Sequence, residues 1–182
     1  MRILIATPLY PPDCGGAALY TKELAKRLSE SHTVRVLHYG HLPEKIEGVK
    51  TFSVSKRYPL FLRLPSFFFF LLKEIRHADV LIAENGPSVE LPVLFLSHLT
   101  SKPIIFHIGD RDAHEYAQKK GGLRKRIEER AFSRAKTTLP QTPISRPEIL
   151  PFRPHPTEKM TKYEESWKTH LTRLTHLFSY GN

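Results

Sequence analysis

The sequence of this 182-residue chain predicts an α/β fold, a parallel sheet with helices on both faces. Three observations predict it. Short apolar runs alternate with longer stretches of helical period. The first run, MRILIA, is mostly apolar, as in a strand buried on both faces, rather than alternating. The first two runs are joined by a glycine-ended loop and one helix, the pattern of a right-handed crossover.

Each element can be justified in order. Residues 1–6, MRILIA, read as a strand because of their length, their isoleucines and the prolines that follow. The loop TPLYPPDCGG comes next, stiffened by three prolines and ended by Gly15 and Gly16. From Ala17 the period changes: Tyr20, Leu24 and Leu28 recur every four residues, with Lys22, Lys26 and Arg27 on other faces. That helix stops near Ser29–His32, and strands are expected at Thr33–His38 and Val49–Val54. The apolar run Tyr58–Leu72 is interrupted by Arg63 and Pro65 and is too short to span a bilayer. Ser66 suits the cap of a helix running to Arg76. A strand at Asp79–Ala83 leads through the turn Glu84–Pro87 into a helix over Val89–Thr100, with Pro92 near its first turn, where proline is tolerated. Lys102–His107 is a strand and Ile108–His114 a loop. Gly121–Ala135 is a basic helix, and Lys136–Leu139 a short strand.

Prolines then recur from Pro140 to Pro156, the composition of an extended link. Glu158–Phe178 is helical, with Tyr163, Trp167, Leu171, Leu174 and Phe178 on one stripe. The chain thus divides into a sheet domain at 1–139, a link at 140–157 and a terminal helix at 158–182.

The net charge of +10 attracts phosphate-bearing partners: nucleic acid, anionic lipid or a phosphorylated ligand. A lone cysteine, Cys14, excludes an internal disulfide framework and fits a reducing compartment. No secretory leader opens the sequence, so a cytoplasmic location is expected. His107 and His114 lack a third partner at zinc spacing, and no nucleophile elbow is present.

Ligands of parallel α/β sheets bind outside the carboxyl ends of the strands. The loops that matter are therefore Pro8–Gly16, Glu84–Ser88 and Ile108–His114. Gly15 and Gly16 either make a tight turn or let a phosphate approach the free N–H groups of a helix start. His107, at a strand end, either donates to a substrate hydroxyl or phosphate or orders its own loop. Glu84 and Asn85 suit hydroxyl binding or a turn, and Asp110, Arg111, Asp112 and His114 follow His107 closely. The four phenylalanines 67–70 cover more than one helical face. They pack inward, or else Phe67 and Phe68 enter a membrane interface while Arg63 and Lys73 meet lipid phosphates.

These motifs taken together resemble a known family. Arg2-Ile-Leu-Ile, Pro8, Pro11-Pro12, Gly15-Gly16, Tyr20, Leu24-Ala25, Leu28 and Val34-Arg-Val look like the opening of the family 4 retaining glycosyltransferases, which have the GT-B fold. Ala78-Asp79-Val80 through Glu84-Asn85, Pro103-Ile-Ile-Phe-His107 and Ala135–Pro140 are similar to later strands and loops of the same N-terminal domain. Ile108 and Gly109 intervene where the family often has Asp directly after the histidine. The resemblance covers about residues 1–145 and implies a Rossmann-like acceptor domain, with the final helix crossing back onto it.

By this resemblance Gly15 and Gly16 approach the donor diphosphate, and His107 is the catalytic-site residue that touches the transferred sugar. Glu84, Asn85, Asp110 and Arg111 are the further substrate-binding candidates. The implied partners are a nucleotide-diphospho-sugar, a lipid-linked or glycan acceptor and an anionic membrane surface. No metal and no other cofactor is implied, and the expected location is the inner face of the membrane. The family's donor domain carries two glutamates separated by seven residues, and no pair here has that spacing. The expectation is thus an acceptor-side half, inactive alone: either a binding subunit completed by a separate donor-domain chain or a remnant. The alternative from another class is a nucleic-acid- or phosphate-binding module that uses the basic helix and has no catalysis.

Overall fold

The computed structural model describes residues 1–40, 43–109, 111–139 and 157–179. The element order is β1 (Arg2–Thr7), α1 (Gly16–Ser29), β2 (Thr33–Tyr39), β3 (Val49–Val54), α2 (Leu60–Ile75), β4 (Val80–Glu84), α3 (Pro87–Ser97), β5 (Ile104–His107), α4 (Arg111–Lys120), α5 (Gly122–Ser133), β6 (Thr137–Leu139) and α6 (Thr157–Ser179). The six strands form one sheet in the order β3-β2-β1-β4-β5-β6, and every neighbouring pair is parallel. The expected α/β class, with helices on both faces and a terminal helix packed back, is what the chain adopts.

The inner strands are buried on both sides because their alternate residues serve two cores. Ile3, Ile5, Val34, Val36, Val80, Ile82 and Ile105 face α1 and α6. Leu4, Ala6, Leu37, Leu81, Ala83 and Phe106 face a second core with α2, α3 and α5. An apolar run with no polar alternation is the sequence signature of this double burial.

The terminal helix covers the sheet through the stripe seen in the sequence. Tyr163, Trp167, Leu174 and Phe178 join the core formed with α1. Trp167 is 1 % exposed and stacks on Tyr20 with ring centroids 5.6 Å apart. Arg27 of α1 fixes the register. Its guanidinium donates to Glu23 and to both oxygens of Glu164, and lies 5.1 Å from the Trp167 ring.

Three expectations are corrected. Helix α2 begins at Leu60, well before Ser66, and carries Pro65 inside it. The proline forfeits one backbone hydrogen bond, while Phe67, Leu71 and Ile75 bury against the sheet. Ser66 is not a cap; its hydroxyl donates to the Leu62 carbonyl one turn back. The polar stretch after Gly109 is not all loop, since α4 starts at Arg111. Phe67 does not face a membrane. It is fully buried and stacks on Tyr39 at 4.3 Å. Phe68 is half-buried, and Phe69 and Phe70 are exposed. Arg63 is half-buried over the Tyr39 ring, and Lys73 is exposed. The proline-rich segment 140–156 lies outside the described residues. Among the described residues no helix is long and apolar enough to cross a membrane.

Candidate functional site

The strand order reverses between β1 and β4, and in open parallel sheets that reversal places a crevice at the carboxyl ends of the two strands. Three loops meet there, after β1, β4 and β5. Residue Thr7 ends β1, Glu84 ends β4, and His107 ends β5 in register with Glu84.

Helix α1 starts at this edge. Its N-cap, Gly15, is exposed and has φ of 139°, a backbone conformation that favours glycine. Nothing lies within 4 Å of where a Gly15 side chain would begin. No side chain caps the helix, and no acidic residue occupies its first turn. The first-turn N–H groups thus have no capping side chain, and the positive end of the dipole lies at the exposed Gly15 turn. Helix α3 differs: the Glu90 carboxylate reaches back and accepts from the Gly86 N–H at 2.7 Å.

Behind the α1 turn lies a sealed polar cluster. Thr7 Oγ1 is 2.9 Å from Glu84 Oε2, and Thr21 Oγ1 is 2.6 Å from Glu84 Oε1. The same two hydroxyls lie 2.8 Å from the Leu9 carbonyl and 2.9 Å from the Ala17 carbonyl. Each hydroxyl has one proton to donate, so two protons face four acceptors while Glu84 is ionised. A protonated Glu84 adds the missing donor. Burial pushes the Glu84 carboxyl up to about 7, even though the threonine hydrogen bonds favour the charged form.

His107 is fully buried. Its Nδ1 is 3.9 Å from Glu84 Oε1, and neither ring nitrogen has a hydrogen-bond partner. The ring stacks on Tyr20 at 4.1 Å. Tyr20 Oη is 2.6 Å from Nε2 of His170 on α6. Burial lowers the His107 ring to about 3, with His170 adding to the effect. It lowers His170 to about 4, with Arg173 adding. Both rings are therefore neutral at ordinary pH. Gly109 closes the cluster: a Cβ there would lie 3.5 Å from His107 Nδ1, 3.6 Å from Glu84 Oε2 and 3.5 Å from Ala17 Cβ. The first turn of α1 and the β5 loop are thus in contact.

The structure brings Glu84 and His107 together and sets Gly15 and Gly16 on the adjoining turn. Asn85 is buried, and its N–H donates to the His107 carbonyl at 3.1 Å. Glu84 spends both oxygens on Thr7 and Thr21, tying α1 to β1 and β4. Asp110 and the side chain of Arg111 lie outside the described residues. Sequence reasoning missed Thr7, Thr21 and His170. His170 carried a readable signal, since it stands three residues after Trp167 on the face of α6 that is buried. Among the described residues no group of three or more His, Cys, Asp or Glu side chains could hold a metal ion.

The family model described as Glycosyltransferase Family 4 matches residues 14–161. Two solved structures resemble the chain. One is Anabaena HepE in complex with UDP, at 17% identity and a TM-score of 0.51, over 76% of this chain and 37% of that one. The other is the C-terminal domain of the coenzyme A biosynthesis bifunctional protein CoaBC, at 13% identity and a TM-score of 0.47, over 77% and 76%. At these identities the HepE likeness is one of fold, and the match spans well under half of that protein. No curated protein matches the chain.

Proposed function

We propose, from the premise that this chain belongs to glycosyltransferase family 4, that it supplies the acceptor-side half of a sugar-transfer site. The reaction is transfer of a hexose, with retention, from a nucleotide-diphospho-sugar to a lipid-linked or glycan acceptor at an anionic membrane surface.

The observation that carries this reading is the uncapped start of α1 behind the open Gly15 turn, in contact with the β5 loop. A diphosphate seated on the α1 N–H groups has compensating charge and no side chain in its way. Its sugar then lies toward Gly109, the cover over His107. Displacement of that loop lets His107 offer the sugar a hydrogen bond, and its unpartnered nitrogens have none to lose. UDP bound to HepE, a protein of similar fold, supports a nucleotide diphosphate as the ligand class. The glutamate pair that the resemblance implies for a donor-binding half is not found within these 182 residues.

The test is calorimetry with a panel of nucleotide-diphospho-sugars, followed by a transfer assay. A helix end contributes typically about 0.3–1 kcal/mol for an exposed charge, against the roughly 8 kcal/mol of micromolar affinity. Weak binding and no turnover are expected from the 182 residues alone. Adding a donor-domain chain is expected to give turnover, which Gly16→Val or His107→Ala abolishes. Robust turnover by these residues alone would overturn the division of the site.

A further inference from the structure

Helices α2 and α3 pack side by side on one face of the sheet, and an open apolar groove of about 890 Å³ lies between them. Phe68 and the buried Pro92 form its floor, Phe61 and Phe69 wall it from α2, and Phe95 and Leu99 wall it from α3. The Phe68 and Phe95 rings meet edge to face with centroids 6.4 Å apart. Phe61 is 73% exposed, Phe69 67% and Leu99 62%. Isolated exposed apolar residues need no explanation, but a contiguous patch marks a binding surface. Among the described residues His98, just after α3, is the one polar side chain lining it.

Both ends of the groove are cationic. Phe69, Lys73 and Arg76 stand at i, i+4 and i+7, so the wall that includes Phe69 continues along α2 into two exposed cations. The carbonyls at that end of the helix are already served by Lys102, whose ammonium donates to Ile75, Arg76 and Ala78. At the other end Arg57 is exposed, three residues before Leu60, where the α2 lining begins. Helices α2 and α3 hold one carboxylate each, and both are buried. Glu74 pairs with Arg35, and Glu90 accepts from the Gly86 N–H. The two helices therefore show no exposed carboxylate, and the exposed charges flanking the groove along α2 are positive.

We infer that this groove receives an amphipathic helix of a partner protein, one whose apolar ridge fills the groove and whose first and last turns carry carboxylates. The inference does not depend on the sugar-transfer reading. Its shape argument is length and concavity. The α2 lining from Leu60 to Phe69 extends for roughly 14 Å at about 1.5 Å per residue, room for anchors at i, i+3 or i+4, and i+7 of a docked helix. A ridge of side chains set into the furrow between two others is how helices ordinarily pack. Its charge argument is the pair of cationic ends. Carboxylates beyond either end of the ridge meet Arg57 on one side and Lys73 and Arg76 on the other, and such complementarity selects the partner. A second copy of the chain does not meet this requirement. Two-fold pairing sets the face against itself, and like charges then oppose one another at the ends. A flat bilayer does not fill the groove either. An interfacial helix buries a face that projects into the membrane, whereas the floor here lies below walls from both helices.

The experiment uses the whole chain and synthetic peptides of about 16 residues, long enough for an isolated helix to begin to form. The first peptide has leucines on one stripe at i, i+4 and i+7 and glutamates in its two end turns. The second has lysines in place of the glutamates. The third keeps the composition of the first but spreads the leucines round the helix. Binding is read by fluorescence anisotropy. The acidic peptide is expected to bind about fivefold or more tightly than the lysine-ended one at low salt, from about three exposed ion pairs. The gap narrows as salt rises, and the spread peptide does not bind. Phe95→Glu is expected to abolish binding of the acidic peptide, and Leu99→Glu serves as the second variant if Phe95→Glu does not fold. The double variant Lys73→Glu with Arg76→Glu is expected to weaken the acidic peptide and strengthen the lysine-ended one, a pattern that loss of fold does not produce. Failure of the acidic peptide to bind overturns the inference, as does equal affinity for all three peptides. So does a stable dimer dispersed by Phe95→Glu, which assigns the groove to a second copy. Sedimentation with phosphatidylglycerol vesicles that Phe95→Glu abolishes, with no peptide bound, assigns it to a membrane and overturns the inference as well.

Discussion

Glu84→Gln tests the sealed cluster directly. The Glu84 carboxyl is raised from its ordinary 4.5 to about 7, chiefly by burial. Between those values the folded chain holds a proton that the unfolded chain has released. Stability is therefore fully present below pH 4.5 and is lost as pH rises through about 7. A difference of that size corresponds to roughly 3 kcal/mol at about 1.36 kcal/mol per pH unit. Glutamine is neutral throughout, and its amide supplies the donor that a protonated Glu84 gives Thr7 or Thr21. Glu90, raised to about 7, has the same sign as Glu84, and the buried His38, His107 and His170 have the opposite sign. All four are common to both proteins and cancel in the comparison. Urea denaturation followed by circular dichroism from pH 4.5 to 8 is the assay. The variant should gain about 3 kcal/mol on the parent across that range, or roughly 6–12 °C in Tm for a chain of this size. Parallel stability curves would refute the argument that Glu84 carries its proton into the fold.

Trp167→Ala removes the anchor of α6 and is expected to cost about 3–5 kcal/mol, read as a lower urea midpoint; an unchanged midpoint contradicts docking of α6. His170→Gln keeps a partner for the Tyr20 hydroxyl but does not titrate. Because the folded His170 resists protonation down to about 4, the parent loses stability as pH falls below about 6.5, and the variant should lose less by roughly 3 kcal/mol. Equal acid sensitivity of variant and parent counts against this. Phe67→Ala should destabilise by about 3–5 kcal/mol, whereas Phe69→Ala should stay within about 0.5 kcal/mol. Thermal melts of the pair check the assignment of one ring to the core and the other to the groove.

The parts of the fold that were legible in the sequence are those with local causes. Proline, glycine and a change of period mark the passage from β1 through α1 to β2 within forty residues. Apolar runs ending in Glu84 and His107 located two strand ends at the ligand edge. Helix α4 was not legible, because its sequence RDAHEYAQKK offers few apolar residues to set a stripe. The first turns of α2 were hidden by Pro65, whose local cost is outweighed by burial of Phe67, Leu71 and Ile75. The candidate site was legible in its strand-end residues and not in its partners. Thr21 meets Glu84 across 63 residues and Tyr20 meets His170 across 150, and no local spacing reports such pairs.

The seating of α6 has a consequence for how the chain reaches this form. The sheet face made by Ile82, Ile105 and α1 is finished only when Trp167 arrives from far along the sequence. At about 5–20 residues per second, synthesis from Ile105 to Trp167 takes roughly 3 to 12 s. During that interval the nascent chain carries an uncovered apolar face and a nearly complete parallel sheet. Contacts of such long separation form late, and exposed surfaces of this kind recruit chaperones or other copies of the chain. Ribosome-bound chains halted before residue 157 should therefore be held by a chaperone, and chains released after residue 179 should not.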